Sequence, residues 1–399
     1  MKFKRLMYFT MAGLGSLFGS VQACQVPVFR YALERWQSDV YRVAVFHRDD
    51  LTENHQGALK QIERAIDDPE RYANLALEVV NVDAVTDPFW KKYLETHPAG
   101  DEPEIHLLYP YEMNNDAPIW RAPLTPVNAQ GLVDSPVRRA LLEHIVQGES
   151  GVWILLESGD AAQDDKAESD VKGWLASISK ELTLPEGVVG REQAEEALKN
   201  PGFDPANILR SQIPLKIGFS LLRVSRSDVA ESAFLAMLLN MEDDLHELAD
   251  KTMLFPVFGR GRALPPILGD GITEDNVADY SSYLCGACSC EVKRENPGID
   301  LVFSINWDDL MEGNATIIDK ALPPLMGVAD LIGKQSIEPA GENPVEAAVV
   351  EPEAVTPPPA PASVSPGGSK LTSNLIIAVA SVLGLVVFGS IFTMMRKSA

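Results

Sequence analysis

From Val40 onward, short runs of β-branched and aromatic residues alternate with stretches in which apolar side chains recur every three or four positions. Val40–Arg48 (VYRVAVFHR) predicts a buried strand. Gln56–Ile66 follows as an amphipathic helix, Leu75–Asp83 as a second strand, Phe89–Thr96 as a short helix and Glu104–Pro110 as a third strand. After Pro118 comes a hairpin-like stretch, Ile119–Val127. Next is a helix running to Val146, with Ser135 as N-cap and Pro136 in the first helical position, where a missing N–H costs nothing.

The pattern then begins again. Gly151–Ser158 (GVWILLES) predicts a strand, followed by an acidic loop, a helix over Ala167–Lys180 and a strand over Pro214–Val224. A helix starts after Ser227, Met253–Arg260 (MLFPVFGR) leads a second hairpin, and Thr273 caps a helix running to about Leu284. Strands that alternate with helices predict an α/β sheet with right-handed crossovers. The segments PIWRAPLTPVNAQGLVDSPVRRALLEHIVQG and PVFGRGRALPPILGDGITEDNVADYSSYLCG share one order: proline, strand, glycine turn, capped helix, glycine. They mark two related α/β units in tandem.

Each unit's order of strand, helix, strand, helix, proline, hairpin and final helix resembles the thioredoxin-like fold, over roughly Val40–Cys290. In that fold a cis proline opens the penultimate strand, and the resemblance assigns this place to Pro118 and Pro256. It also places a redox C-x-x-C just after the first strand. Here those positions read HRDDLTENH (His47–His55) and ESGDAAQDD (Glu157–Asp165), without cysteine. Redox activity at the usual place is therefore not implied.

The ends of the chain carry different signals. Lys2, Lys4 and Arg5 precede the apolar stretch Leu6–Val21, which closes on Val21-Gln22-Ala23, the layout of a secretory signal peptide; a retained anchor and a lipidated Cys24 are the alternatives. Leu375–Met395 is uncharged, long enough to span a hydrocarbon core, and followed at once by Arg396 and Lys397. The expected organisation is a signal peptide over residues 1–23, thioredoxin-like units over 24–150 and 151–335, a Pro/Glu-rich linker over 336–372, a transmembrane helix over 373–395 and a cytoplasmic tail over 396–399. The body is expected outside the cytoplasm, periplasmic or extracellular, on a single-pass membrane anchor. Prolines such as Pro352, Pro357, Pro358 and Pro359 make the linker an extended spacer.

Composition supports a folded body, with 46% hydrophobic and 23% charged residues in a chain of 399. The formal net charge of -23 makes nucleic-acid binding improbable and favours basic partners or cations. No protein partner can be named from the sequence.

Four cysteines carry the chemistry worth weighing: Cys24 and the cluster Cys285-Gly-Ala-Cys288-Ser-Cys290. One reading is a pair of disulfides that pins the N-terminus to the cluster. A second is a redox pair, because Cys285 and Cys288 have C-x-x-C spacing; the helix C-terminus disfavours a thiolate there, while Lys293 and Arg294 favour one. A third is a thiolate site for zinc or copper, although no cofactor is called for. The functional expectation is accordingly a membrane-tethered thiol protein or, alternatively, a non-catalytic scaffold stapled by disulfides.

Other motifs are weaker. His47, His55, His97, His106, His144 and His246 show no metal-ligand spacing. Gly259-Arg260-Gly261-Arg262 could hold an anion, but a tight hairpin turn explains it more simply. Asp160–Asp170 reads as a solvated loop. Asn314 opens a glycosylation sequon.

Overall fold

An unforeseen element comes first: helix α1 (Val28–Arg35), opened by Pro27 and lined on nearly every side by buried residues, Arg30 and Glu34 among them. In the computed structural model the described residues are 25–288 and 292–312. The chain divides into two compact units, Met1–Ser336 and Ile337–Ala399, and every described residue belongs to the first. Cys24, Cys290, Asn314, the signal-like start, the linker and the run Leu375–Met395 lie outside the described residues. No helix among the described residues is long and apolar enough to cross a membrane.

The first half of the body follows the expected order. Strand β1 (Tyr41–His47) is buried through Phe46, as its unbroken apolar run requires. Helix α2 (Glu53–Asp67) starts where the Thr52 side chain accepts from His55 N. Strand β2 (Leu75–Asn81), helix α3 (Pro88–Thr96) and strand β3 (Glu104–Leu108) come next. The stretch read as one hairpin arm splits into strand β4 (Pro118–Pro123) and helix α4 (Pro126–Val133), after which helix α5 (Pro136–Val146) matches its predicted span. Ser135 stands at the N-cap of α5 without capping it; its Oγ instead accepts from Arg138 Nε at 3.0 Å.

The second half repeats the plan with longer excursions. Strand β5 (Gly151–Leu156) is buried throughout. Helix α6 (Ala161–Glu181) begins six residues before its expected start, so most of the supposed acidic loop is helical: Asp160 caps it by accepting from Ala162 N and Gln163 N. A long excursion holding the short helix α7 (Ala194–Ala197) leads to strand β6 (Phe219–Val224), helix α8 (Ser232–Leu239) and strand β7 (Met253–Phe258). The two-residue strands β8 (Arg262–Ala263) and β9 (Ile267–Leu268) precede helix α9 (Glu274–Cys285), and strand β10 (Ile299–Asp300) and helix α10 (Trp307–Glu312) close the described chain.

The result is an α/β fold with two mixed sheets. The first runs β2-β1-β3-β4, with β1 and β2 parallel and the other neighbours antiparallel. The second runs β10-β8-β7-β5-β6, again with one parallel pair, β5 and β6. Strand order and direction are compatible with thioredoxin-like units. The proline assignments need correction. No peptide bond among the described residues is cis. Pro118 opens β4, the last strand of its sheet's hairpin, and Pro256 lies inside β7 opposite Trp153. The residues directly ahead of the penultimate strands are Pro103 and Thr252.

One apolar core joins the two halves. It takes Tyr41, Val43 and Val45 from β1, Val152, Ile154 and Leu156 from β5, and Leu132, Leu141, Phe234 and Met237 from the helices between. The opposite face of the first sheet packs Ala44 and Phe46 against Trp90 and Tyr93 of α3. That of the second packs Trp153 and Leu155 against Val171, Leu175 and Val277 of α6 and α9. The turn after β7 needs glycine twice, with Gly259 at φ 60° and Gly261 at φ 87°. A Cβ on Gly261 would meet the buried Phe303 ring at 2.2 Å. Gly261→Ala is expected to lower stability by about 2 kcal/mol in urea titration, from overpacking and positive φ together; a change within about 0.5 kcal/mol, the ordinary surface range, would show that ring free to move.

Candidate functional site

The cysteine corner is built where α9 ends. Thr273 caps this helix by accepting from Asn276 N; Cys285 is its last residue, and Gly286 N returns to Ser282 O at 2.8 Å. The chain then pairs with its own beginning: Val28 N donates to Gly286 O and Cys288 N to Val26 O, both at 3.0 Å, around an antiparallel bridge between Pro27 and Ala287. Cys288 packs beside Val26, Phe29, Trp36, Phe258 and Leu284.

Cys285 and Cys288 are both buried and are not bonded to each other. Cys285 is an unbridged thiol, so two disulfides among the four cysteines do not form. Burial pushes this thiol up to about 11, against a hydrogen bond with Ser150. The negative end of the α9 dipole sits at the same residue and also opposes a thiolate. Lys293, expected to favour one, gives its ammonium to Asp39 at 2.7 Å and to Asp300. Among the described residues no group of three or more His, Cys, Asp or Glu is placed to hold a metal ion. Cys24 and Cys290, the other half of the expected thiolate set, lie outside them.

Helix α1 is held beside this corner by buried charge. Arg30 Nε donates to Glu34 Oε1 at 2.8 Å, and its guanidinium reaches Ser211 Oγ at 2.8 Å and Ile213 O at 2.6 Å. Glu34 in turn accepts from Arg210 N at 2.7 Å and Ser211 N at 3.2 Å. The Gly-Arg-Gly-Arg turn serves the same end. Arg260 donates to Leu33 O and Gln37 Oε1, both at 2.9 Å, while Arg262 donates to Pro297 O at 2.9 Å and Asp300 Oδ1 at 3.0 Å. These contacts occupy both guanidinium groups within the protein, in keeping with the hairpin-turn reading rather than an anion site.

The strand ends, where the resemblance would put redox chemistry, carry carboxylates. Asp164, in the first turn of α6, is almost fully buried. Its oxygens accept from Ser158 N and Ser158 Oγ at 2.9 Å, Gly159 N at 3.1 Å and Thr252 Oγ1 at 2.7 Å. Burial alone would raise this carboxyl, but the four donors outweigh it and hold it below the usual range. Asp164 thus ties the β5–α6 turn to the residue ahead of β7, a locking role. At the matching end of the first sheet, Arg48 pairs with Asp83 at 2.6 Å and His47 Nδ1 lies 2.9 Å from Asp49 O.

One histidine departs from the rest. His106 on β3 is fully buried, with Nδ1 2.7 Å from Tyr93 Oη and Nε2 3.2 Å from Glu104 Oε1, close enough for an ion pair but not aligned as a hydrogen bond. Phe46 meets its ring edge-on at 4.7 Å. Periodicity could not single out this residue, since a buried polar position in a strand looks like any other inward position. No protein-family model matches the chain, and no curated protein matches it.

Proposed function

We propose that this chain is an exported protein tethered to a membrane by its C-terminal apolar run, whose two thioredoxin-like units form a non-catalytic binding scaffold rather than a thiol enzyme. The observation that carries this reading is the cysteine corner: both cysteines with C-x-x-C spacing are buried at the end of a helix, Cys288 within a packed apolar cluster, and the Cys285 thiol is pushed up to about 11. Reactive thiols need the reverse, an exposed sulfur beside positive charge or a helix N-terminus. The positions that usually hold the active pair carry the Asp164 lock instead.

The same corner supports a staple. The Pro27–Ala287 bridge joins the start of the described chain to the residues after α9, and in the sequence Cys24 stands three residues before Pro27 and Cys290 three after Ala287. A single disulfide there would fix the mature N-terminus to the end of the second unit, and closing so long a loop stabilises a fold by about 2–4 kcal/mol.

The test is thiol reactivity in the intact full-length protein. Cys285 is expected to stay unmodified by a maleimide near neutral pH until the fold is opened with denaturant, and non-reducing peptide mapping is expected to recover Cys24 linked to Cys290. A thiol pair that is labelled in the native protein and cycles with glutathione would overturn the scaffold reading in favour of redox work.

A further inference from the structure

Among the described residues the two sheets end in five edge strands, and four of them are guarded, β9 by being only two residues long. Strand β4 carries Pro118 and Pro123, and its Ile119 carbonyl accepts from Asn240 Nδ2 at 3.3 Å. Strand β6 carries Arg223, bound to Glu157 and Asp165 at 2.5 Å and to Glu168 at 2.8 Å. Strand β10 is two residues long. Proline, charge and shortness are the usual defences of a strand edge.

Strand β2 has neither proline nor brevity, and its one charge is the carboxylate of Glu78. It runs seven residues, LALEVVN, without proline, glycine or a basic residue. The segment after β10 lies beside its approach, where Ala73 bridges Ser304 and Ile305 N donates to Tyr72 O. Beyond Ala73 no described residue pairs with the outer edge of β2. Its two faces differ. Leu75, Leu77 and Val79 share the side packed against α2, and Val79 is left 45% exposed. Ala76, Glu78 and Val80 share the other, where Glu78 Oε2 accepts from Trp90 Nε1 at 2.7 Å. Exposed carboxylates rim the approach to the strand, Asp67, Asp68 and Glu70, while Asp83 after it is already paired with Arg48.

We propose that β2 is a docking edge that takes an extended, basic segment of a partner protein as a fifth strand. Main-chain pairing would supply affinity, and alternation would supply selectivity: apolar side chains beside Leu77 and Val79, basic ones beside Glu78 and the acidic rim. Charge decides the occupant. A second copy would bring another -23 to the same rim, whereas a basic strand is attracted to it. This inference rests on the binding reading above and gives it a surface.

The experiment is amide hydrogen exchange of the full-length protein in detergent, with a capped peptide of four Lys-Val repeats as probe. At about ten times its Kd the peptide is expected to slow exchange at Leu75–Asn81 about tenfold, since protection follows ligand over Kd. The effect should weaken at high salt and in Val79→Lys, and vanish with a Glu-Val peptide or a Lys-Val peptide N-methylated at alternate residues. No slowing at β2, or equal slowing by the N-methylated peptide, overturns the proposal. So does protection without peptide, whether it grows with protein concentration, as for a second copy, or does not, as for a segment of the same chain. A redox-active thiol pair would undo the scaffold reading and leave a β2 result standing, so the two failures are distinguishable.

Discussion

Replacing Arg138 by methionine is expected to destabilise the body by about 3–5 kcal/mol, the usual cost of breaking a buried charge network. The side chain is almost fully buried, and each of its three nitrogens donates at least one hydrogen bond. Its guanidinium donates to Gly131 O, to Leu132 O at 2.9 Å and to Val302 O at 3.1 Å, and Nε donates to Ser135 Oγ at 3.0 Å. Gly131 and Leu132 lie in the last turn of α4, whose carbonyls have no helical partner. Two buried carboxylates depend on the same charge: Asp134 Oδ2 and Glu231 Oε2 accept no hydrogen bond. Burial already raises the Asp134 carboxyl against the pull of Arg138 and Arg139. Methionine fills similar space but strands three carbonyls and both acids. Denaturant unfolding followed by tryptophan fluorescence gives the size of the loss, and Arg138→Lys, which keeps the charge but not the fork, should recover part of it. A loss under about 1 kcal/mol, the median for an exposed pair, would mean that water replaces the guanidinium.

Acid should weaken the fold through His106. Burial pulls this imidazole from its ordinary 6.5 down to about 4. The native state therefore refuses a proton that the unfolded chain accepts. Stability is complete above about pH 6.5 and falls as pH drops toward 4, by about 1.4 kcal/mol per pH unit and about 3 kcal/mol in all. Glu104 works in the same direction. Burial would raise its carboxyl, but Gly100 N–H at 2.7 Å, His106 and Arg121 together hold it below the usual range, so it too resists the protonation that unfolding allows. The melting temperature should fall steeply between pH 6.5 and 4.5. His106→Gln, which cannot titrate, should be less stable at pH 7.5 but markedly flatter across that interval; equal slopes in the two proteins would assign the acid sensitivity elsewhere.

Much of the architecture could be read from the chain, for reasons visible at particular residues. Tyr41–His47 and Gly151–Leu156 are nearly unbroken apolar runs because both faces of each strand are covered. Thr52 and Thr273 announce their helices by capping them. What escaped was decided by tertiary partners. Asp164 looked like one more acid in a solvated loop, yet it turns inward to four donors. The stretch from Leu182 to Gly218 has no period, because its short turns are held by side chains far off in sequence, such as Arg35 donating to Ala206 O at 2.7 Å. Pro118 and Pro256 were matched by type, although one opens a last strand and the other lies within a penultimate one. The cysteine site was visible as a spacing, but whether a thiol is enclosed depends on the packing of Val26, Phe29 and Leu284, which spacing does not carry.

The shared apolar interior sets the timing of biogenesis. Helices α4 and α5 complete the first repeat, but α8 and β5, which they also touch, are synthesised later. At about 5–20 residues per second, the ribosome emits Leu239 roughly 5–20 seconds after Val146. Through that interval the nascent chain carries an uncovered greasy flank. The protein is thus committed to finishing its first half only when its second half arrives.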